Sequence, residues 1–218
     1  MVSLQQEYTN YVSSAVWPTN IYRINIVYNT ISRAVHDASG INKRLLFDSL
    51  LRIGDEFHDN AVTLTTSQNT FDSWHRSNVL LLMGLSFDWT DGSHGRHTRL
   101  TLGLAQKYLN LMLKDWWGCG ACGNLDYSVL HAPFDNVVWK VLWELHPRFD
   151  CPSLKHVSAY KGISHWDSDS EYRSYQAHLL SPALSQAVMR QMQNRLRQVG
   201  LTQPPTTRIE MEQLVWSR

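Results

Sequence analysis

Apolar residues recur at helical spacing along most of the chain. One stripe contains Ile21, Ile24, Val27, Tyr28 and Ile31. A second contains Leu45, Leu46, Leu50, Ile53 and Phe57. Further helical patterns cover about 71–85, 103–117, 134–146, 171–198 and 207–216. Period-two alternation rarely extends beyond a few residues, so the pattern predicts a mainly α fold.

Segments rich in Gly, Pro, Asn and Asp separate these helical patterns. They are DWTDGSHGRH (88–97), GCGACGN (118–124), HPRFDCPS (146–153) and GLTQPP (200–205). Thr207 is followed three positions later by Glu210, a capping-box pattern that predicts a helix start. Because the chain contains no internal repeat or low-complexity linker, we expect a single helical domain over residues 1–218.

Composition narrows the class of protein. With 218 residues, 43% hydrophobic and 11% aromatic, the chain can bury a substantial core. Its formal net charge is only +1, so affinity for nucleic acid would have to come from local patches. The N-terminus lacks a signal-peptide pattern, and no run approaches the roughly 18 apolar residues of a membrane span. We expect a cytoplasmic protein with no membrane partner.

Cys119 and Cys122, within GCGACGN, resemble one knuckle of a zinc site. A complete site needs two further ligands, for which Cys151, His131 and His146 are candidates, but a second knuckle is missing. Three cysteines without a secretion signal also argue against a disulfide framework. We therefore expect reduced cysteines, no bound metal and no cofactor.

The segment 94–117, HGRHTRLTLGLAQKYLNLMLKDWW, contains two Arg and two Lys before its first acid, Asp115. At its centre, LGLAQK predicts a tight turn at Gly103 with Lys107 one turn into a helix. Unpaired amides at such a helix start favour a phosphate. Arg96, Arg99, Lys114 and the Gly103 turn are the predicted phosphate contacts, and Gln106 is predicted to contact a base or phosphate. The ordinary interpretation of this lysine is a surface residue.

The segment 131–139, HAPFDNVVW, places the carboxylate Asp135 just before an apolar helical pattern. One interpretation is a helix cap, because a carboxylate there satisfies free amides and the helix dipole. The other is a catalytic acid at the mouth of a pocket. The two interpretations are compatible, because the same amides would keep the carboxylate ionised.

Taken together, GLAQKYLNLMLKD and HAPFDNVVWKVL resemble the core signature of the helix-hairpin-helix DNA glycosylases, in the branch that includes eight-oxoguanine glycosylase. That signature is a G-x-G-x-K hairpin leading into an apolar helix, followed by P-V-D and another apolar helix. Pro133, Phe134 and Asp135 take the places of P-V-D, and Trp139 falls where the family often has an aromatic residue. The resemblance implies a two-lobed helical fold, with hairpin and catalytic segment at about 94–146.

The resemblance implies that Lys107 is the amine nucleophile and Asp135 the catalytic acid. The expected reaction removes a damaged or modified base from double-stranded DNA, leaving an abasic site that a Schiff base on the lysine can cleave. The base must be flipped out of the duplex. Candidates to line its pocket are Trp116, Trp139, Trp143 and His131. A narrower hypothesis is a bacterial defence enzyme, active as a monomer, that excises hypermodified phage bases.

The competing hypothesis is a helical module that binds nucleic acid or a nucleotide without chemistry. Two departures from the family pattern favour it. Ala105 stands where the hairpin usually has its second Gly. The gap between Lys107 and Asp135 is also longer than in familiar members, so that GCGACGNLDYSVL must loop out.

Overall fold

The computed structural model describes residues 3–13, 26–27, 30–31, 42–90, 96–119, 125–134, 136–145 and 169–216. Over these residues the fold is mainly α, as predicted. The helices are α1 Leu4–Ser13, α2 Lys43–Leu64, α3 Gln68–Gly84, α4 Leu102–Cys119, α5 Asn136–Leu145, α6 Asp169–His178, α7 Pro182–Gln191, α8 Gln193–Gln198 and α9 Arg208–Trp216. Within the described ranges, none of these helices combines the length and hydropathy that a membrane span requires.

Several helices begin at side chains that cap them. The N–H of Leu45 donates to Asn42 Oδ1 at 3.0 Å at the start of α2, and the N–H of Thr70 donates to Ser67 Oγ at 3.2 Å at the start of α3. Each of these bonds satisfies an amide that has no partner within its helix. The predicted capping box is confirmed at α9, where the Glu210 N–H donates to Thr207 Oγ1 at 3.3 Å. The Thr207 hydroxyl in turn donates to the Glu210 carboxylate at 2.8 Å.

Two expectations about the elements are corrected. The pattern predicted over 171–198 is divided into α6, α7 and α8, with breaks before Pro182 and at Met192. Proline restricts the residue before it and lacks an N–H, so a helix cannot run through Ser181 unchanged. The second correction is a short antiparallel sheet of β1 Ser86–Thr90 and β2 Arg96–Arg99, in a region expected to be a break.

The described core consists of two hydrophobic clusters. The first is formed mainly by α2, α3 and α4. The second is formed by residues 132–134 and by α5 to α9. Leu102, at the start of α4, packs against both clusters. The predicted stripe on α2 faces the first cluster, where Leu46, Leu50 and Phe57 are fully buried. Helices α4 and α9 therefore lie near the junction between the clusters.

A buried ion pair joins α4 to α9. Lys114 Nζ donates to Glu212 Oε2, and the two side chains are only 3% and 4% exposed. The Lys114 ammonium also lies 4.4 Å from the centroid of the Tyr8 ring, and the Tyr8 hydroxyl donates to Asp115 at 2.6 Å. The prediction that Lys114 contacts a DNA phosphate is therefore wrong, because its charge is enclosed in the interior by α1 and α9.

We expect Lys114→Met to lower the free energy of unfolding by about 3–5 kcal/mol, because it leaves the Glu212 carboxylate buried without its cation. The measurement is urea denaturation followed by circular dichroism. Lys140→Met, at an exposed lysine on α5, is the matched control. The double variant Lys114→Met/Glu212→Leu should recover most of the loss, and a single variant as stable as wild type would contradict the proposed role of the pair.

Candidate functional site

The structure describes one member of the predicted catalytic pair. Lys107 lies half-buried on α4. Asp135 lies outside the described residues, between the buried Phe134 and the start of α5 at Asn136. The predicted turn at Gly103 is corrected: Gly103 lies buried in the first turn of α4. The helix begins earlier because Thr101 Oγ1 accepts a hydrogen bond from the Leu104 N–H at 3.3 Å.

Side chains from two helices hold the backbone segment that leads to residue 135. Gln176 of α6 pairs with the peptide groups of Ala132: its Nε2 donates to the carbonyl, and its Oε1 accepts from the N–H, both at 2.9 Å. Asn110 of α4 donates to the same carbonyl at 3.1 Å. Since Asn110 lies one turn after Lys107, the turn that carries the lysine is attached to the segment that precedes Asp135.

Asn110 also belongs to a buried chain of polar side chains, here called the histidine network: His75, Asn110, Tyr172, His131 and Asp72. His75 Nε2 lies 2.8 Å from Asn110 Oδ1, and Asn110 Nδ2 lies 2.8 Å from the Tyr172 hydroxyl. That hydroxyl lies 2.9 Å from His131 Nδ1, and His131 Nε2 lies 2.9 Å from Asp72 Oδ1. The network connects α3, α4 and α6 through the 131–134 segment.

One arrangement of hydrogens satisfies these contacts with both histidines neutral. A carboxylate only accepts, so His131 Nε2 donates to Asp72 and its Nδ1 accepts from the Tyr172 hydroxyl. The Tyr172 oxygen then accepts from Asn110 Nδ2, and Asn110 Oδ1 accepts from His75 Nε2. Every bond runs in one direction, from His75 toward Asp72.

Charged and polar groups surround the outer end of the network at Asp72. Arg173 Nη1 donates to one oxygen of Asp72 at 3.1 Å, and Gln68 Nε2 donates to the other at 2.6 Å. Burial alone raises the pKa of Asp72, but hydrogen bonds from His131 and Gln68 and the nearby positive charges outweigh it and lower that pKa to about 2. Asp72 is therefore an ionised acceptor at neutral pH.

Burial has the opposite effect on the histidines. It lowers the pKa of His75 well below its usual value, and it lowers the pKa of His131 despite the hydrogen bond to Asp72. It also raises the pKa of the Tyr172 hydroxyl. The interior of the network is thus uncharged at neutral pH, in agreement with the single direction of its hydrogen bonds.

The structure corrects several predicted DNA and base contacts. Gln106 is fully buried, where its Nε2 donates to the Gly103 carbonyl at 2.9 Å and its Oε1 lies 2.8 Å from Asn110 Nδ2. It therefore contacts neither a base nor a phosphate. Trp116 is 2% exposed and lies nine positions after Lys107. At 100° per residue this places it on the opposite side of α4, in the first cluster, so Trp116 does not line a pocket beside Lys107.

The other residues predicted to contact DNA or the flipped base differ in their exposure. His131 is 3% exposed and belongs to the histidine network, which leaves it no free edge for a base. Trp143 is 38% exposed on α5. Arg99 is exposed on β2 and Arg96 lies on the same strand, while the side chains of Arg96 and Trp139 lie outside what the structure describes. Lys107 precedes Asn110 of the network by three positions in the sequence.

Sequence reasoning did not identify Asp72, His75, Tyr172 and Gln176. The available signal was weak. Asp72 and His75 are three positions apart on α3, and Tyr172 and Gln176 are four apart on α6, so each pair shares a helix face. Such pairs normally mark a solvated face. Here the faces meet across the junction between the two clusters.

The structure describes only part of the candidate metal site at the cysteines. Cys119 lies half-buried at the end of α4. Cys122, His146 and Cys151 lie outside the described residues. Among the residues that the structure does describe, no three His, Cys, Asp or Glu side chains are grouped closely enough to hold a metal ion.

Comparisons with protein-family models, with curated proteins and with solved structures find no match to this chain. The functional interpretation therefore depends on the residues and their geometry.

Because two histidines are buried, we expect the free energy of unfolding to decrease in mild acid. Below about pH 6.5 both take up protons in the unfolded chain, whereas burial keeps them neutral in the folded protein. The unfolded state then binds more protons, so the free energy of unfolding falls as pH decreases, by up to about 1.4 kcal/mol per pH unit for each histidine.

Urea denaturation at several pH values between 7.5 and 5.5 measures this slope. The variant His75→Gln should lose about half of it, while His58→Gln, at a partly exposed histidine on α2, serves as the control. A free energy of unfolding that stays flat or rises as pH falls would contradict the buried neutral network.

We expect Tyr172→Phe to destabilise the protein by about 1–3 kcal/mol, because it removes the partner of His131 Nδ1 and of Asn110 inside the core. Tyr108→Phe is the matched control, since it removes the hydroxyl of another buried tyrosine that lies outside the network. Thermal denaturation of both variants would check this. Equal losses would show that the network contributes nothing beyond an ordinary buried hydroxyl.

Proposed function

We propose that the protein is a DNA N-glycosylase that removes a damaged or modified base, with Lys107 and Asp135 as the catalytic pair. The observation that supports the proposal most directly is the Asn110 hydrogen bond to the Ala132 carbonyl. Asn110 lies three residues after Lys107, and Ala132 lies three residues before Asp135. This bond keeps both short segments together although they are separated in sequence.

The face of α4 that carries Lys107 supports the same assignment. Lys107, Asn110 and Lys114 lie three and seven positions apart, a spacing that places them on one side of a helix. Asn110 contacts the 131–134 segment, and Lys114 contacts α9. Lys107 itself is half-buried on this side of α4.

The expected chemistry uses both side chains. Cleavage of the bond between base and sugar develops positive charge on the sugar, which an ionised Asp135 would stabilise. The Lys107 amine, when unprotonated, attacks the anomeric carbon as the base leaves with the bonding electron pair, and loss of the ring oxygen bond gives a Schiff base.

The neutral histidine network suits this chemistry. A positive charge within it would attract the Asp135 carboxylate in competition with Lys107. It would also raise the free energy of the cationic sugar. Apart from Asp72 at its outer end, the network is uncharged, and it holds the 131–134 segment by hydrogen bonds. Its one carboxylate, Asp72, is paired with Arg173.

Borohydride trapping on DNA duplexes tests the proposal. Duplexes that contain an abasic site, standard base lesions or modified phage bases are incubated with the protein and reduced with sodium borohydride. We expect a covalent adduct with wild type and with Lys140→Ala, an exposed lysine on α5. We expect none with Lys107→Ala, because no amine remains to form the Schiff base. Asp135→Asn should lower the rate of base release about 100-fold or more.

If wild type forms no adduct and releases no base from any duplex, the catalytic proposal is wrong. Unchanged activity in both Lys107→Ala and Asp135→Asn would contradict the assignment of the pair. Binding of DNA without either reaction would instead support a module that binds nucleic acid without chemistry.

A further inference from the structure

A long stretch of the sequence contains no acidic residue. Between Glu171 and Glu210 there is neither Asp nor Glu, whereas there are five arginines: Arg173, Arg190, Arg195, Arg197 and Arg208. Because the whole chain has nearly equal numbers of acidic and basic residues, so uneven a distribution concentrates positive charge in this stretch of the sequence.

The structure separates these arginines by role. Arg173 is paired with Asp72 and Asp169, and Arg195 donates to both oxygens of Glu7 of α1 at 2.5 Å. Arg208 is largely enclosed by Gln68 and backbone carbonyls. These three neutralise or stabilise groups inside the protein.

Arg190 and Arg197 differ from the other three because both are exposed. The guanidinium group of Arg197 donates to the Gln193 carbonyl at 3.4 Å and to Asn194 Oδ1 at 2.8 Å, which are uncharged acceptors. Neither contact neutralises its positive charge.

Helices α7 and α8 place the two arginines on one side. The break between the helices is a single residue, Met192, whose N–H donates to the Val188 carbonyl at 2.8 Å and whose carbonyl accepts from the Leu196 N–H at 2.9 Å. Seven positions on a nearly continuous helix correspond to two turns, or about 10.5 Å.

The residues around the two arginines are rich in hydrogen-bond donors. Exposed side-chain amides on or beside α7 and α8 belong to Gln186, Gln191, Gln193, Asn194, Gln198 and Gln203. A cavity of about 420 Å³ lies beside Arg190, lined by Ser185, Gln186, Met189, Arg190, Gln203 and Pro204. Amides, hydroxyls and guanidinium groups are the side chains that bind phosphate oxygens.

The end of α8 shapes this cavity. Gly200 has φ 75°, a left-handed conformation that favours glycine. Its N–H donates to the Arg197 carbonyl at 3.1 Å, and the Leu201 N–H donates to the Leu196 carbonyl at 2.8 Å, the two bonds of a Schellman motif. The motif reverses the chain so that Gln203 and Pro204 return beside α7.

We infer that the exposed side of α7 and α8, with Arg190, Arg197 and the amides between them, binds the phosphate backbone of double-stranded DNA. We call this surface the arginine face. A membrane surface fits less well, because interfacial helices present large apolar side chains, whereas exposed amides predominate here. The choice of DNA as the partner rests on the proposed function.

Fluorescence anisotropy with an unmodified, labelled DNA duplex tests the arginine face, because it requires no catalysis. The logarithm of the binding constant is measured against the logarithm of salt concentration. We expect Arg190→Ala/Arg197→Ala to weaken binding and to reduce the magnitude of the slope by about two, since two phosphate contacts are lost. Arg44→Ala/Arg52→Ala, at two exposed arginines on α2, removes the same charge elsewhere and should leave the slope nearly unchanged.

Three results would overturn the inference: no binding by wild type at low salt, equal slope changes in the two double variants, or tighter binding of an RNA duplex than of DNA. The result is separable from the catalytic test. Binding that depends on Arg190 and Arg197 supports the arginine face even if no Schiff base is trapped. Active glycosylase with unchanged binding in Arg190→Ala/Arg197→Ala rejects the face and leaves the catalytic pair intact.

Discussion

The peptide of Ala132 imposes the constraint on which the site depends. It is fully buried, and a buried N–H or carbonyl without a partner costs about as much as a lost hydrogen bond. Gln176 and Asn110, from helices on either side of the junction, satisfy it. The need to satisfy one irregular backbone segment therefore fixes how α4 and α6 approach each other. It also fixes the position from which the chain enters α5.

The remaining polar interior is a consequence of this arrangement. Once Asn110 is turned toward Ala132, its carbonyl oxygen needs a donor and its second hydrogen needs an acceptor, which His75 and Tyr172 provide. Tyr172 then requires His131, and His131 requires Asp72. Such a chain specifies one packing of the helices, because each member left alone would be a buried unsatisfied group. Stability and the placement of the 131–134 segment thus have the same origin.

The sequence predicted the helical elements well because their signals are local. Apolar periodicity gave α2, α4 and α9, and the pair Thr207 and Glu210 gave a helix start. The sequence patterns did not identify the buried polar residues, because burial depends on residues that are distant in the sequence. Gln106 and Lys114 looked like solvent-facing contacts for DNA, yet Lys114 meets an acid 98 positions later in the chain. The acid-free stretch around α7 and α8 was visible in the sequence, but only burial separates its exposed arginines from its paired ones.

Contacts between residues that are distant in the sequence also constrain the order in which the chain can fold. Glu7 near one end of the chain receives hydrogen bonds from Arg195 and from Gln213, 188 and 206 positions away. Lys114 remains without its carboxylate until α9 has been synthesised and has left the ribosome. Helix α4 therefore contains a buried charge that is compensated only when α9 packs against it. The ion pair couples two helices that lie about a hundred residues apart in the chain.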